Sequence, residues 1–361
     1  MSEQKIETVL LGLNDEGRLL LKAASENEHF RIQAVADKDG GLAERLGAEY
    51  GCAAYDDYRQ LITAMDSRLE DDEARCLIVA EGMCRCEEYV RFAMKKRFNV
   101  LKAAPAGRDF EESAELVRLA EDEDVKFAIA NPRRYAKSFA ALHEYIKDGA
   151  VDEVFLIAVF CCYAGVQRSG WQSDPKLAGG GVLLHNSFGM LDQIMWNFPI
   201  PEQVYCLSTN DAIDRQQRLS LTEDTAVVAM KFSDRLLGNV IVSSRSSVWP
   251  RREFVKVCGK DRILVVNEKR LTMRDGESEI IEEIDYDDDA GACMAGVVGD
   301  FGLSVLQADE IELRSSGREN LKSMAVIESA YLSGRTGMPE EPSRILQMGQ
   351  FEASDIDAGD L

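Results

Sequence analysis

Over the first 130 residues, short apolar runs alternate with helix-length segments, and that alternation limits the possible folds more than any other feature. The runs are Ile6–Leu11, Arg31–Asp37, Cys76–Ala80, Asn99–Lys102 and Val125–Ala130. Segments such as Glu87–Arg97 and Phe110–Asp122 between them have the length of helices. The strand runs are continuously apolar, so both of their faces have to be covered. Strand–helix–strand order implies right-handed crossovers and a parallel, doubly wound sheet. The expected class is α/β, with a Rossmann-type domain over residues 1–130.

From residue 131 the pattern changes. Strand-like runs follow one another at Val154–Cys162, Val204–Ser208, Thr225–Phe232, Leu237–Ser244, Phe254–Gly259 and Arg262–Asn267. This predicts a second α/β domain over residues 131–340, built on a large, mostly antiparallel sheet. One long helix over 182–197 and another over 320–334 accompany it, and 341–361 reads as a loose polar tail. The run 154–162 is apolar on both alternating faces, whereas a sheet covered on one face alternates. Helices can cover one face and a second copy of the chain the other, so a homo-oligomer through this sheet is expected.

Composition narrows the function classes. The 361 residues carry a net charge of −22, which opposes a nucleic-acid partner, because phosphate binding needs clustered Lys and Arg. No stretch approaches the twenty apolar residues of a membrane span, and the first residues lack the layout of a signal peptide. The nine cysteines have no disulfide-ladder or metal-ligand spacing. A reducing compartment, the cytoplasm, and no metal are the expectation.

A cofactor site is suggested where the first strand meets the first helix. Gly12-Leu-Asn14-Asp-Glu-Gly17 stands where a glycine-rich turn cradles a pyrophosphate at a helix N-terminus. Gly12 suits the tight turn and Gly17 close helix–sheet packing. Asn14 takes the middle position, where Asn tolerates left-handed backbone. Asp15 and Glu16 favour the helix dipole but repel a pyrophosphate. Asp37, at the end of the second strand, can accept from ribose hydroxyls and repel a 2′-phosphate, so NAD is expected over NADP.

The segment Gly170–Asp192 carries a resemblance. Trp171, Asp174-Pro175 and Gly179-Gly180-Gly181-Val-Leu-Leu resemble the loop and GGG-x-L-x-D-x-G-x-H-x-x-D helix of the glucose–fructose oxidoreductase/inositol dehydrogenase (Gfo/Idh/MocA) family. Asn131-Pro-Arg-Arg-Tyr135 is similar to its domain-crossing segment, and Glu328-Ser-Ala-Tyr331 with Ser333-Gly334 to its closing helix. The resemblance covers nearly the whole chain. It implies NAD(P)-dependent oxidation of a CH–OH group in a sugar, cyclitol or related polyol. In the typical site, a Lys in an E-K-P motif and a His in the GGG helix relay the hydroxyl proton.

This chain departs from that pattern at both positions. The E-K-P position reads Ala103-Ala104-Pro105, the helix His is Gly189, and the helix acid is His185; Asp192 alone is unchanged. Two readings follow. In one, the chemistry is rebuilt around Lys102 and His185, with Asp192 as partner, and Gly12, Asn14, Gly17, Asp37 and Pro105 hold the cofactor. In the other, catalysis is lost and the fold senses a ligand or regulates. His185 could equally be a helix histidine satisfied by a backbone carbonyl. Trp171 and Trp249, flanked by Arg168, Lys176, Arg245, Arg251 and Arg252, are candidates for lining a cleft for a polar or anionic ligand.

Overall fold

A computed structural model describes residues 5–68, 73–163, 170–211, 221–245, 251–307 and 311–351, without the side chains of 83–85. Arg168 and Trp249 lie outside the described residues. The chain divides into two compact units. The first comprises residues 1–107, 112–132 and 289–317, and the second 108–111, 133–288 and 318–361.

In the first unit, β1 (Ile6–Leu11), α1 (Asp15–Glu26), β2 (Phe30–Ala36), α2 (Gly40–Tyr50), β3 (Ala53–Tyr55), α3 (Tyr58–Asp66), β4 (Arg75–Val79), α4 (Met83–Met94), β5 (Asn99–Ala103), α5 (Phe110–Asp122) and β6 (Phe127–Ala130) alternate as expected. The sheet order is β3-β2-β1-β4-β5-β6, all parallel. The order reverses between β1 and β4, the switch point at which such sheets bind ligands. Every residue of β1 and β4 is buried, because helices cover both faces.

The second unit contains α6 (Lys137–Lys147), β7 (Leu156–Cys162), α7 (Pro175–Ala178), α8 (Val182–His185), α9 (Phe188–Asn197), β8 (Gln203–Thr209), β9 (Thr225–Lys231), β10 (Leu237–Ser243), β11 (Arg252–Cys258), β12 (Arg262–Asn267), β13 (Arg270–Asp275) and β14 (Ile280–Asp285). These strands form one sheet in the order β14-β13-β12-β11-β7-β10-β9-β8, antiparallel except where β7 meets β10. On β9 and β10, buried and open residues alternate. Helices α6 and α9 pack on one face of this sheet.

Three sequence expectations need correction. The single helix expected over 182–197 is two helices, because the chain breaks at Asn186–Ser187 and the Ser187 hydroxyl donates to Leu183 O at 2.8 Å. Residues 289–317 were expected in the second domain but pack with the first. Their helix α10 (Ala290–Leu306) buries Val297, Val298 and Phe301, and the bare Cα of Gly302 leaves room for Phe30. The tail after 341 is not wholly loose: after α11 (Gly317–Thr336), helix α12 (Pro342–Met348) buries Leu346, and Phe351 is buried as well. Strands β13 and β14, in which charged residues interrupt the apolar ones, were not among the strand-like runs expected from the sequence. Among the described residues, no helix is long and apolar enough to cross a membrane.

Candidate active site

In the first unit, the turn from β1 into α1 is tightly specified. Gly12 has φ +85°, and a Cβ there would lie 2.7 Å from Glu81 N. Gly17 has no room for a side chain against the Gly12 carbonyl. Asn14 is not left-handed, as its sequence context allowed, but extended at φ −64°. It caps the helix: its Oδ1 accepts from Gly17 N at 2.9 Å, and its Nδ2 donates to Ala80 O. An Asn N-cap satisfies one of the unpaired first-turn N–H groups.

Asp37 closes this turn from the neighbouring strand. Its Oδ2 accepts from Leu13 N at 2.7 Å and its Oδ1 from Asp39 N at 2.9 Å. A carboxylate has about four acceptor sites, so capacity remains on both oxygens for vicinal hydroxyls. The glycine turn and this acid fit the adenosine end of a dinucleotide. At the start of α1, Asp15 is exposed and paired with Arg18. Burial raises the Glu16 carboxyl above its usual range, partly offset by the Lys102 charge.

Lys102 is 2% exposed. Its ammonium donates to Pro105 O at 2.5 Å and Ala103 O at 3.2 Å, across the cis Ala104–Pro105 peptide. It is the penultimate residue of β5, in the field of Glu16 and Cys86.

In the second unit, each glycine of the triplet has a separate role. Gly179 has φ +75° and packs on the Arg108 carbonyl, and Gly180 has no room for a Cβ beside the Tyr331 hydroxyl. Gly181 precedes α8, whose first turn is held by Glu223: its carbonyl accepts from Val182 N and its Oε1 from Leu183 N, both at 3.0 Å. Tyr331 donates to the same Oε1 at 2.9 Å.

His185, half-buried, ends α8. Its Nε2 lies 2.9 Å from Ala178 O, and its ring meets Trp171 edge-on at 5.7 Å. A carbonyl oxygen can only accept, so Nε2 carries the hydrogen, and in the neutral ring Nδ1 is the acceptor. Asp192 lies apart from this contact. Both of its oxygens accept from Arg134, at 2.8 Å each, and it is 0% exposed. Arg134 also reaches Glu319 at 2.8 Å and lies over the Trp196 ring. Burial opposes the Arg134 charge, but Asp192 and Glu319 outweigh it and raise its pKa.

Gly189 carries its own surprise. A Cβ there would lie 2.7 Å from Nη1 of Arg133. Arg133 pairs with Glu253 at 2.6 Å, and Glu253 also accepts from the Tyr163 hydroxyl and from Arg251 at 3.2 Å. Sequence reasoning did not single out Arg133, Tyr163, Glu253, Glu223 or Tyr331 as members of this site. A signal existed for Glu253, an acid in phase with Val255 and Val257 on the buried face of β11.

The profile of the oxidoreductase family C-terminal alpha/beta domain, Gfo/Idh/MocA type, matches residues 143–341. The chain belongs to the Gfo/Idh/MocA family. Inositol 2-dehydrogenase of Rhizobium meliloti (strain 1021) is 26% identical over 150 residues, which are 42% of this chain and 43% of that protein. The other curated relatives are likewise matched over less than two thirds of their lengths. A levoglucosan dehydrogenase in complex with NADH and levoglucosan superposes with a TM-score of 0.83 at 13% identity, covering 94% of this chain and 99% of its own. An Agrobacterium radiobacter oxidoreductase in complex with NAD+, L-tartaric acid and magnesium gives 0.79 at 16% identity, over 95% and 100%. At such identities the likeness establishes the fold, which for Gfo/Idh/MocA members pairs a parallel sheet with a large mixed one.

Proposed function

We propose that this chain is an NAD-dependent dehydrogenase that oxidises a CH–OH group of a sugar-like polyol, with His185 taking the hydroxyl proton. The observation that carries this reading is the Nε2–H bond of His185 to Ala178 O at 2.9 Å. It orients the ring and makes Nδ1 the basic nitrogen, the arrangement a general base requires. Gly12, Asn14, Gly17, Asp37 and Pro105 would hold the dinucleotide, and Asp37 favours NAD over NADP. When bound, that cofactor supplies the hydride acceptor.

Lys102 and Asp192 take different parts in this proposal. The Lys102 ammonium is spent on two carbonyls and on the Glu16 charge, so Lys102 is a positioning residue for the Ala103–Pro105 turn. Asp192 positions Arg134. The same facts support a second reading, a ligand-sensing protein without hydride transfer, since the lysine of the usual relay is absent and the space of its histidine is filled by Arg133.

Titrating NADH fluorescence and then screening polyols for absorbance of reduced nicotinamide separates the two readings. The dehydrogenase reading expects NADH binding, turnover with at least one polyol, and loss of turnover in His185→Ala with NADH affinity kept. In Lys102→Ala it expects weakened but measurable turnover. Binding without turnover favours the sensor, and failure to bind NAD or NADP removes the dehydrogenase.

A homo-oligomer through the second sheet belongs to the same proposal. Leu207, Val227, Ile241, Phe160 and Phe254 pair in register as one row across five strands. Leu207 is 61%, Val227 41% and Ile241 36% exposed in the single chain. Such a continuous apolar row is uncommon on a monomer surface. Light scattering should give a multimer that Leu207→Glu with Ile241→Glu breaks down; a monodisperse wild-type monomer refutes it. The described cysteines form no disulfide with one another, which supports a cytoplasmic location.

A further inference from the structure

We propose that Arg133, lying against Gly189, makes this part of the site a receptor for a carboxylate, so that the ligand is a sugar acid and not a neutral sugar. The inference rests on the reading that the His185–Gly189 segment faces substrate.

Gly189 and Arg133 are sterically matched. A Cβ on residue 189 would lie 2.7 Å from Nη1, 3.5 Å from Cδ and 3.6 Å from Cζ of Arg133. The guanidinium therefore covers the Cα, and no larger side chain can stand there while Arg133 keeps its position. The exchange changes the chemistry. An imidazole at this point could take up a proton, whereas a guanidinium is a donor and a permanent cation. Burial works against the Arg133 charge, but Glu253, Tyr163 and Glu268 more than compensate.

One donor of Arg133 has no acceptor among the described residues. Its Nη2 meets Glu253 Oε2 at 2.6 Å, with Glu268 farther off at 3.8 Å. Glu253 is already shared, because the same Oε2 receives Arg251 at 3.2 Å and its Oε1 receives the Tyr163 hydroxyl. The Arg133 Nε is buried with no partner among the described residues. At the rim, Arg251 lies over the Tyr163 ring with 58% of its side chain exposed. A buried donor without an acceptor is costly, and a ligand oxygen is the natural remedy. A carboxylate brings both acceptors and charge, and its bonds to guanidinium are roughly twice as strong as neutral ones.

The test is calorimetric titration without dinucleotide, using D-gluconate and D-glucuronate against D-glucose. At least one acid should bind at least about tenfold more tightly than glucose, and less so as salt rises. Arg133→Met should remove that preference. Because Arg133→Met leaves Glu253 buried beside one fewer cation, Arg133→Lys serves as the folded control. It keeps the charge but not the fork, and should give intermediate affinity for the acids. Equal affinity for acid and neutral sugar, acid binding indifferent to both variants, or no binding of either acid overturns the proposal. NADH binding is read separately, so its failure removes the dehydrogenase reading and leaves this result standing.

Discussion

Arg134 grips both oxygens of Asp192 at 2.8 Å, with the two side chains 2% and 0% exposed. This pair joins the turn at residues 132–135 to helix α9, and the guanidinium lies over the Trp196 ring. The acid that the sequence singled out as a partner for His185 is therefore spent on a cation fifty-eight residues away in the chain.

Asp192→Asn should destabilise the protein by about 3 kcal/mol, because it leaves a buried guanidinium with only the part-exposed Glu319 as counter-charge. The measurement is the midpoint of urea unfolding. A variant that unfolds at the wild-type midpoint but loses turnover would return Asp192 to the chemistry.

The fold was legible in the sequence where the chain follows simple periodicities. Continuous apolar runs with helical spacers give the parallel sheet, and strand-like runs that follow one another without such spacers give the antiparallel one. The break at Asn186–Ser187 was not legible, since it depends on Ser187 turning back to Leu183 and on Glu223 holding the start of α8. Helix α10 was missed because its residues are apolar nearly all round and lack the stripe that marks a surface helix. For the site, the sequence identified the vacant positions but not their occupants. That Arg133 fills the space at Gly189 is a packing fact, and a glycine in a sequence does not say whose side chain it admits.

Lys102→Met replaces a buried ammonium with an apolar side chain of similar length. If Lys102 positions the Ala103–Pro105 turn, turnover should fall only modestly, well short of the roughly 100- to 10,000-fold loss that follows removal of a general acid or base. Steady-state rates of Lys102→Met and His185→Ala on the same substrate decide this. A larger loss in Lys102→Met than in His185→Ala would reverse the two roles.

Stability should depend on pH through Glu16. Burial raises its carboxyl above the ordinary value of 4.5, with Lys102 acting in the opposite direction. The folded state therefore holds this proton more tightly than the unfolded chain does. The contribution is complete below pH 4.5 and is lost as pH rises through the raised value. Glu16→Gln should melt higher than wild type at neutral pH, and the difference should shrink as pH falls toward 4.5. Thermal melts across that range provide the check, and a constant offset at every pH refutes the assignment.

Two glycines should respond oppositely to alanine. At Gly180 a Cβ collides with the Tyr331 hydroxyl and ring, whose bond to Glu223 in turn supports Leu183 at the start of α8. Relief requires Tyr331 to leave that acid, so Gly180→Ala should cost about 1–3 kcal/mol and disturb the helix that carries His185. At Gly334, within α11, the nearest atoms to an added Cβ are 3.8 and 3.9 Å away, which is ordinary contact. Here alanine only restricts the unfolded chain, and Gly334→Ala should gain about 0.5–1 kcal/mol. Paired denaturation curves decide the comparison. If Gly180→Ala is tolerated as well as Gly334→Ala, then Tyr331 is not what forbids a side chain within the triplet.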